Sequence, residues 1–303
     1  MVQPVLSAMS DPSEVAAFMA QAGLPPRFAG LAARLHVPLA ARIAQAAAGR
    51  DVPLLVGLCA PQGAGKSTLT ALVTRLLRHR GLKTANLSLD DLYLTHVERL
   101  GLGRTVHPLL RTRGVPGTHD IALGLEVLEA LARPGRVLLP RFDKAADDRA
   151  PVADFEPFEG PAQVILLEGW CVGGQAQPEA ALDEPVNALE HDEDAAGVWR
   201  GFANAALAGP YRVLFDRIDL LVVMTAPDFA TVRAWRGQQE QRLRQDLAAR
   251  GRDTALAMDE KALDRFVAHY QRLTEWIARD LPPRADIAIR LDADREPVEM
   301  RGL

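Results

Sequence analysis

The sequence predicts an α/β protein built on a doubly wound, mainly parallel sheet, with a helical extension at its N-terminus. Three observations carry this. From residue 53 onward, short apolar segments alternate with longer amphipathic ones. The short segments are mostly unalternating, as strands are when helices cover both faces of a sheet. The first of them, Leu54–Cys59, runs straight into a glycine-rich loop and an amphipathic helix, the strand–loop–helix setting of a phosphate-binding P-loop.

Residues 1–50 are alanine-rich and predict helices. Asp11-Pro12-Ser13-Glu14 has helix-start chemistry, with Asp11 as cap and Pro12 at the first helical position. Pro25, Pro26 and Pro38 are expected to divide the region into two or three helices. Residues 51–303 are expected to form the phosphate-binding domain. Its predicted strands are Leu54–Cys59, Thr84–Ser88, Arg136–Leu139, Gln163–Leu167, Leu220–Met224 and Ile287–Leu291. Its predicted helices are Ser67–Arg80, Ile121–Ala132, Asp228–Arg250 and Asp259–Ala278. Gly101–Asp120 and Gly173–Asp194 read as loops or inserts, and the acidic run His191–Asp194 as a solvated surface.

Bulk properties limit the functional classes. The 303 residues are 48% hydrophobic, enough for a sizeable core. A net charge of −4 argues against nucleic acid as the main partner. Two cysteines, Cys59 and Cys171, form no disulfide framework and no zinc spacing, which favours a reduced, cytoplasmic setting. No leader pattern and no apolar run of membrane-spanning length are visible, so no membrane partner is expected.

In an open parallel sheet the ligand site lies beyond the carboxyl ends of the strands. The loop after the first strand is Ala60-Pro61-Gln62-Gly63-Ala64-Gly65-Lys66-Ser67-Thr68. Its amides and the following helix N-terminus favour a polyphosphate; Lys66 would reach the outer phosphates and Ser67 would coordinate Mg²⁺. Ala60 stands where the usual motif has its first glycine. After the second strand come Asp90 and Asp91. Asp90 is the expected carboxylate for an acceptor hydroxyl, and Asp91 a cap or supporting partner; the plainer reading makes either one a helix cap. Tyr93 follows. Glu168, at the end of Gln163–Leu167, fits the Mg²⁺-side acid or an ordinary strand-end acid. Arg141, Asp143 and Lys144 fit an anionic acceptor, or a surface ion pair of Asp143 with Lys144. Arg113 is the leading candidate for the acceptor's anion. Asp120 or Thr118 is expected to cap the helix at Ile121, and His119 to be packed. Arg233 and Arg236 share a helix face, and a basic lid at about 228–250 competes with an exposed charged helix. Cys59 and Cys171 are expected to be buried and inert.

Taken in order, the P-loop, Ser88-x-Asp90-Asp91-x-Tyr93, Arg113-Gly-x-Pro-Gly-Thr-His119-Asp120, Pro140-Arg-Phe-Asp-Lys144, Glu168-Gly-Trp170 and the basic helix resemble the D-glycerate 3-kinases of plants and fungi. These fall within the P-loop kinase group that contains phosphoribulokinase, uridine kinase and pantothenate kinase. The resemblance spans about residues 53–295. It implies ATP and Mg²⁺ as cofactors, D-glycerate as small-molecule acceptor, and 3-phosphoglycerate as product. By the same resemblance Asp90 takes the position of the catalytic carboxylate, Glu168 that of the Mg²⁺-side acid, and Arg233 and Arg236 fall in the lid. With the reading of the residues, the expected catalytic set is Asp90, Lys66, Arg233 and Arg236, and the expected acceptor-binding set is Asp90, Tyr93, Arg113, His119, Arg141, Asp143 and Lys144. Phe142 stands where family members often carry tyrosine, so a hydroxyl contact is missing here. The competing expectations are another acceptor, pantothenate or a nucleoside, and a nucleotide-binding regulatory ATPase. The absence of an Asn-Lys-x-Asp guanine motif and the presence of Asp90-Asp-x-Tyr93 speak against the last.

Overall fold

In the computed structural model, which describes residues 11–251, 253 and 257–303, the central sheet is six-stranded. Helix α1 (Asp11–Ala22) precedes a short α2 (Phe28–Leu31), a π turn at Ala32–His36, and α3 (Val37–Ala47). The first ten residues of the predicted extension lie outside the described residues. Asp11 departs from its expected role as cap: it sits within α1, and its carboxylate takes Arg80 at 2.5 Å. Pro38 does not break the helix as expected. It lies in the first turn of α3, just after the wider π turn, where a missing amide is tolerated.

Strand β1 (Leu54–Cys59) leads through the phosphate loop into α4 (Lys66–His79), and β2 (Thr84–Ser88) leads into a 3₁₀ turn at Leu89–Leu92. Helix α5 (His96–Thr105), with a full capping box between Thr95 and Glu98, fills part of the predicted Gly101–Asp120 loop. Next come α6 (Ile121–Leu131), β3 (Gly135–Leu139), the two-residue strands β4 (Phe142–Asp143) and β5 (Asp148–Arg149), β6 (Glu156–Gly160) and β7 (Val164–Gly169). The second predicted loop contains α7 (Ala188–Glu193). Then follow α8 (Val198–Ala206), α9 (Arg212–Phe215), β8 (Leu220–Thr225), α10 (Phe229–Ala249), α11 (Glu260–Asp280), β9 (Ile287–Leu291) and β10 (Pro297–Arg301).

The sheet order is β10-β9-β8-β1-β7-β2, parallel except for the antiparallel edge strand β10. The side chains of β1 and β7 alternate between two cores. Leu55, Ile165 and Leu167 meet α6 and α11 on one face; Leu54, Val56, Val164 and Leu166 meet α3 and α4 on the other. Double burial explains why these strands read as continuous apolar runs. β3 is the exception. It pairs antiparallel with β6 in a separate ribbon, exposing Arg136 and Leu138 while burying Val137 and Leu139. Its alternation is that of a one-sided ribbon, and the ribbon carries residues 140–149 toward the end of β2. The acidic run is also divided: His191, Asp192 and Glu193 are exposed, whereas Asp194 is buried and holds Arg200 at 3.1 Å. Among the described residues no helix is long and apolar enough to cross a membrane.

Gly169 closes the contact between β7 and the turn after β2. A Cβ there would lie 2.8 Å from Leu89 Cβ and 2.9 Å from Val172 Cγ2. Overpacking of this kind costs about 1–3 kcal/mol, so Gly169→Ala is expected to lower the urea midpoint of unfolding. A midpoint equal to that of the parent chain would contradict the close approach.

Candidate active site

Adjacent strand ends assemble the site. Register sets Leu58 of β1 and Ser88 of β2 on either side of Glu168 in β7. The segments leaving these strands therefore emerge side by side. Ala60 is fully buried at the root of the phosphate loop, its amide donating to the Gly169 carbonyl at 3.2 Å. Gly63 and Gly65 have φ of 77° and 88°, a region glycine enters without strain. Gly65 is the N-cap of α4, and among the described residues no side chain caps that terminus. A Cβ on Gly65 would meet nothing within 4 Å. A helix N-terminus without a side-chain cap fits a bound phosphate chain.

Lys66 Nζ donates to Glu168 Oε2, with the two side chains only 15% and 10% exposed. Burial favours the neutral amine, but Glu168 and Asp90 outweigh it and raise the Lys66 pKa. Asp90 accepts from Lys144 Nζ at 2.7 Å and from the Tyr93 hydroxyl at 3.2 Å. Burial pushes the Asp90 carboxyl up, yet Lys144 and Lys66 hold it at about 2. It is ionised at neutral pH.

Asp91 caps no helix. It accepts from the Phe142 amide at 3.0 Å and from Arg141 at 3.2 Å, and so ties the 140–149 hairpin to the end of β2. That tie brings Lys144 onto Asp90. Arg141 is shared between Asp91 and Glu156. Asp143 is not drawn into the site: it accepts from the amides of Ala145 and Ala146 in its own turn, at 2.8 and 3.1 Å. Lys144 is paired with Asp90 and not with Asp143.

Arg113 pairs with Asp147 and lies 5.4 Å from the centre of the Phe142 ring. Fully buried Arg99 donates to the Leu94 and Arg111 carbonyls and to Asp147, fixing the same hairpin from below. The Arg113–Asp120 segment is a built turn. Gly114 has φ of 142°, and a Cβ there would lie 2.2 Å from Tyr270 Oη. Trp170 Nε1 donates to the Gly114 carbonyl at 3.0 Å, and Thr118 closes the turn onto Val115 at 2.7 Å. Asp120 caps α6 through the Leu123 amide at 3.0 Å.

His119 is buried and stacked on Tyr93 with ring centroids 4.3 Å apart. Loss of hydration pushes its pKa down to about 3, against the pull of Asp90. The Tyr211 hydroxyl accepts from the Gly117 amide at 3.0 Å and also contacts His119 Nδ1. The other ring nitrogen is Nε2. That atom is buried without a partner among the described residues.

The basic helix α10 begins at its cap Asp228, which accepts from the Thr231 amide at 2.7 Å. Arg233 is turned to Asp264 of α11, 2.5 Å away, and not to the phosphate loop. Arg236 pairs with Glu240 at 2.5 Å and lies 5.2 Å from the centre of the Phe266 ring. The contact of α10 with the loop is made by Trp235: a Cβ on Gly63 would lie 2.5 Å from Trp235 Cβ. Cys59 and Cys171 are free and buried, and burial raises both thiol pKa values, that of Cys59 to about 12. Sequence reasoning missed Tyr211, Tyr270, Arg99 and Asp147. The tyrosines sit in apolar helical patterns, and the Arg99–Asp147 ion pair joins residues 48 positions apart.

No protein-family model matches the chain. Over 269 residues it is 33% identical to the chloroplastic D-glycerate 3-kinase of Arabidopsis thaliana, a match covering 82% of this chain and 55% of the plant protein. The chain thus spans about half the length of that relative. It is 28% identical over 263 residues to an uncharacterized kinase of Schizosaccharomyces pombe, covering 82% of this chain and 91% of the yeast protein. Among solved structures, a D-glycerate 3-kinase from Cryptococcus neoformans superposes with a TM-score of 0.69 at 25% identity, covering 97% of this chain and 99% of that one.

The buried histidines set a pH dependence. Burial depresses His119 to about 3 and His36 to about 4 from 6.5. Between those values and 6.5 the unfolded chain binds more protons than the folded one, so stability rises with pH across that window. The stabilisation is complete above 6.5 and is lost as pH falls toward 4 and then 3. Urea midpoints measured from about pH 7 downward are expected to fall through this range, with a shallower fall in His36→Leu. A flat profile would refute the assignment.

Proposed function

This chain is a relative of the D-glycerate 3-kinases with the fold of the P-loop kinases, and on that premise we propose that it transfers the γ-phosphoryl group of ATP to D-glycerate, giving 3-phosphoglycerate. The observation that carries the proposal is the placement of an ionised Asp90, paired with Lys144, beside the Lys66–Glu168 pair of the phosphate loop. A loop that binds a polyphosphate and a carboxylate that receives a hydroxyl are the two halves of a phosphoryl-transfer site.

The loop amides and the α4 N-terminus would cradle the phosphates, and Lys66 would leave Glu168 for a phosphate oxygen. Ser67 and Glu168 are the residues that would hold Mg²⁺, directly or through water. When bound, the ion neutralises charge on the phosphate oxygens. Asp90 would accept a hydrogen bond from the primary hydroxyl of glycerate and align it for in-line attack. It would receive the hydroxyl proton as phosphoryl transfer proceeds. Lys144, Arg141 and Arg113 are the candidate cations for the glycerate carboxylate, and His119 Nε2 is a candidate polar contact for the acceptor. Arg233 and Arg236 are proposed to neutralise developing charge only after α10 shifts, because both are engaged with carboxylates in this structure. The N-terminal helices up to about residue 50 are proposed as an extension of the nucleotide domain. The buried free thiols suit a cytoplasmic location.

A coupled assay of ADP release over both glycerate enantiomers, pantothenate and nucleosides is expected to show turnover that depends on D-glycerate. Turnover with pantothenate or a nucleoside alone would move the acceptor. Slow hydrolysis independent of any acceptor would favour a regulatory ATPase.

Asp90→Asn is expected to lower kcat by about 10²–10⁴-fold while calorimetric ATP affinity stays near that of the parent. An unchanged kcat would remove Asp90 from the role.

A further inference from the structure

The tip of the β9–β10 hairpin reaches the phosphate loop, and its chemistry is not used by the acceptor site. Arg295 has φ of 68°, in the left-handed region that side chains other than glycine, asparagine and aspartate seldom adopt. Asp292 maintains this turn, its Oδ1 accepting from the amides of Asp294 and Glu296, both at 2.9 Å. Held there, Arg295 Nε donates to the Gly63 carbonyl at 2.6 Å and Nη2 to Gln238 Oε1 at 2.8 Å. Its guanidinium lies 5.0 Å from the centre of the Trp235 ring, and Trp235 Nε1 donates back to the Ala293 carbonyl at 2.7 Å. Hairpin tip, α10 and phosphate loop are thereby interlocked.

Two features give this cluster a role beyond packing. The first is the partner set. Among the described residues, Arg295 hydrogen-bonds only neutral acceptors, so its charge stands beside the loop without a carboxylate salt bridge. The second is the atom it holds. A P-loop binds phosphate through its amides, so its carbonyls must face away from the ligand. Arg295 is the group that receives the Gly63 carbonyl and fixes that peptide, in a residue with φ of 77°.

We propose that Arg295 is a positioning residue for the nucleotide: it holds the phosphate loop in its binding conformation and couples it to α10. The inference rests on the nucleotide site proposed above. Its test reads nucleotide binding alone, so a failed acceptor assignment does not decide it. Calorimetric titration of the full chain with MgATP is the measurement, with kinetics for each substrate beside it. Arg295→Gly removes the guanidinium and relieves the strained φ. It is expected to weaken MgATP binding at least about tenfold, to raise the KM for ATP in step, and to leave the KM for the acceptor within about twofold. Arg295→Lys, which keeps a charge and one donor for Gly63, is expected to bind MgATP between the parent and the glycine variant. MgATP affinity in Arg295→Gly within about twofold of the parent, or an equal rise in both KM values, would overturn the proposal. If the glycine variant lacks a cooperative thermal transition, Arg295→Lys and Arg295→Gln decide it. Affinity falling in the order Arg, Lys, Gln supports the proposal, and equal affinities overturn it.

Discussion

A lysine and a glutamate with little access to water meet at the carboxyl ends of two adjacent parallel strands, and the site is arranged around that pair. Lys66 and Glu168 come from segments 102 residues apart, and only the β1–β7 register brings them together. Neither charge is stable alone there, because stripping one partner from a buried pair costs about 3–5 kcal/mol. The pair therefore has to be kept or exchanged for another ionic partner. A polyphosphate arriving at the uncapped α4 N-terminus would be such a partner for Lys66.

The other half of the cluster repeats the same physics with a second pair. Asp90 keeps its charge despite burial because Lys144 and Lys66 flank it. Lys144 is delivered by a hairpin that belongs to no part of the main sheet. The delivery depends on Asp91, which anchors the backbone of Phe142, and on Arg99 and Asp147 at the hairpin's other end. One aspartate thus positions the carrier of the neighbouring aspartate's counter-charge. The Asp-Asp sequence reflects that division of labour. Tyr93, His119 and Tyr211 pack ring on ring beside Asp90, and His119 Nε2 has no hydrogen-bond partner among the described residues.

Much of this was legible in the residues. Leu54–Cys59, Thr84–Ser88 and Ile287–Leu291 are strands with the expected bounds, because a short run of mostly apolar residues between turn signals favours a strand. Asp120 caps its helix as expected, and the helices predicted to start at Asp228 and Asp259 start just after them, with both aspartates as caps, since an N-cap needs only its own next three residues. The failures are those of distance. Arg136–Leu139 has the composition of a sheet strand, but its partner, Glu156–Gly160, is too polar to signal one. Pro38 reads as a breaker, yet a π turn ahead of it absorbs the missing amide. Asp143 and Lys144 read as one unit, but backbone amides take the first and Asp90 takes the second.

Local order and residue chemistry determined the class of the chain: a phosphate loop between strand and helix, carboxylates at the following strand ends, and glycines where a Cβ would collide. These are legible because each rests on a few consecutive residues and on conformations few side chains tolerate. Which charges meet was decided only by the tertiary structure. Strand order made Glu168 the partner of Lys66. A detached hairpin made Lys144 the partner of Asp90, and a turn near the C-terminus set Arg295 on the Gly63 carbonyl. Coulomb and hydrogen-bond energies fall off within a few ångströms and carry no mark of sequence separation. The partners therefore emerge only when the fold has placed them.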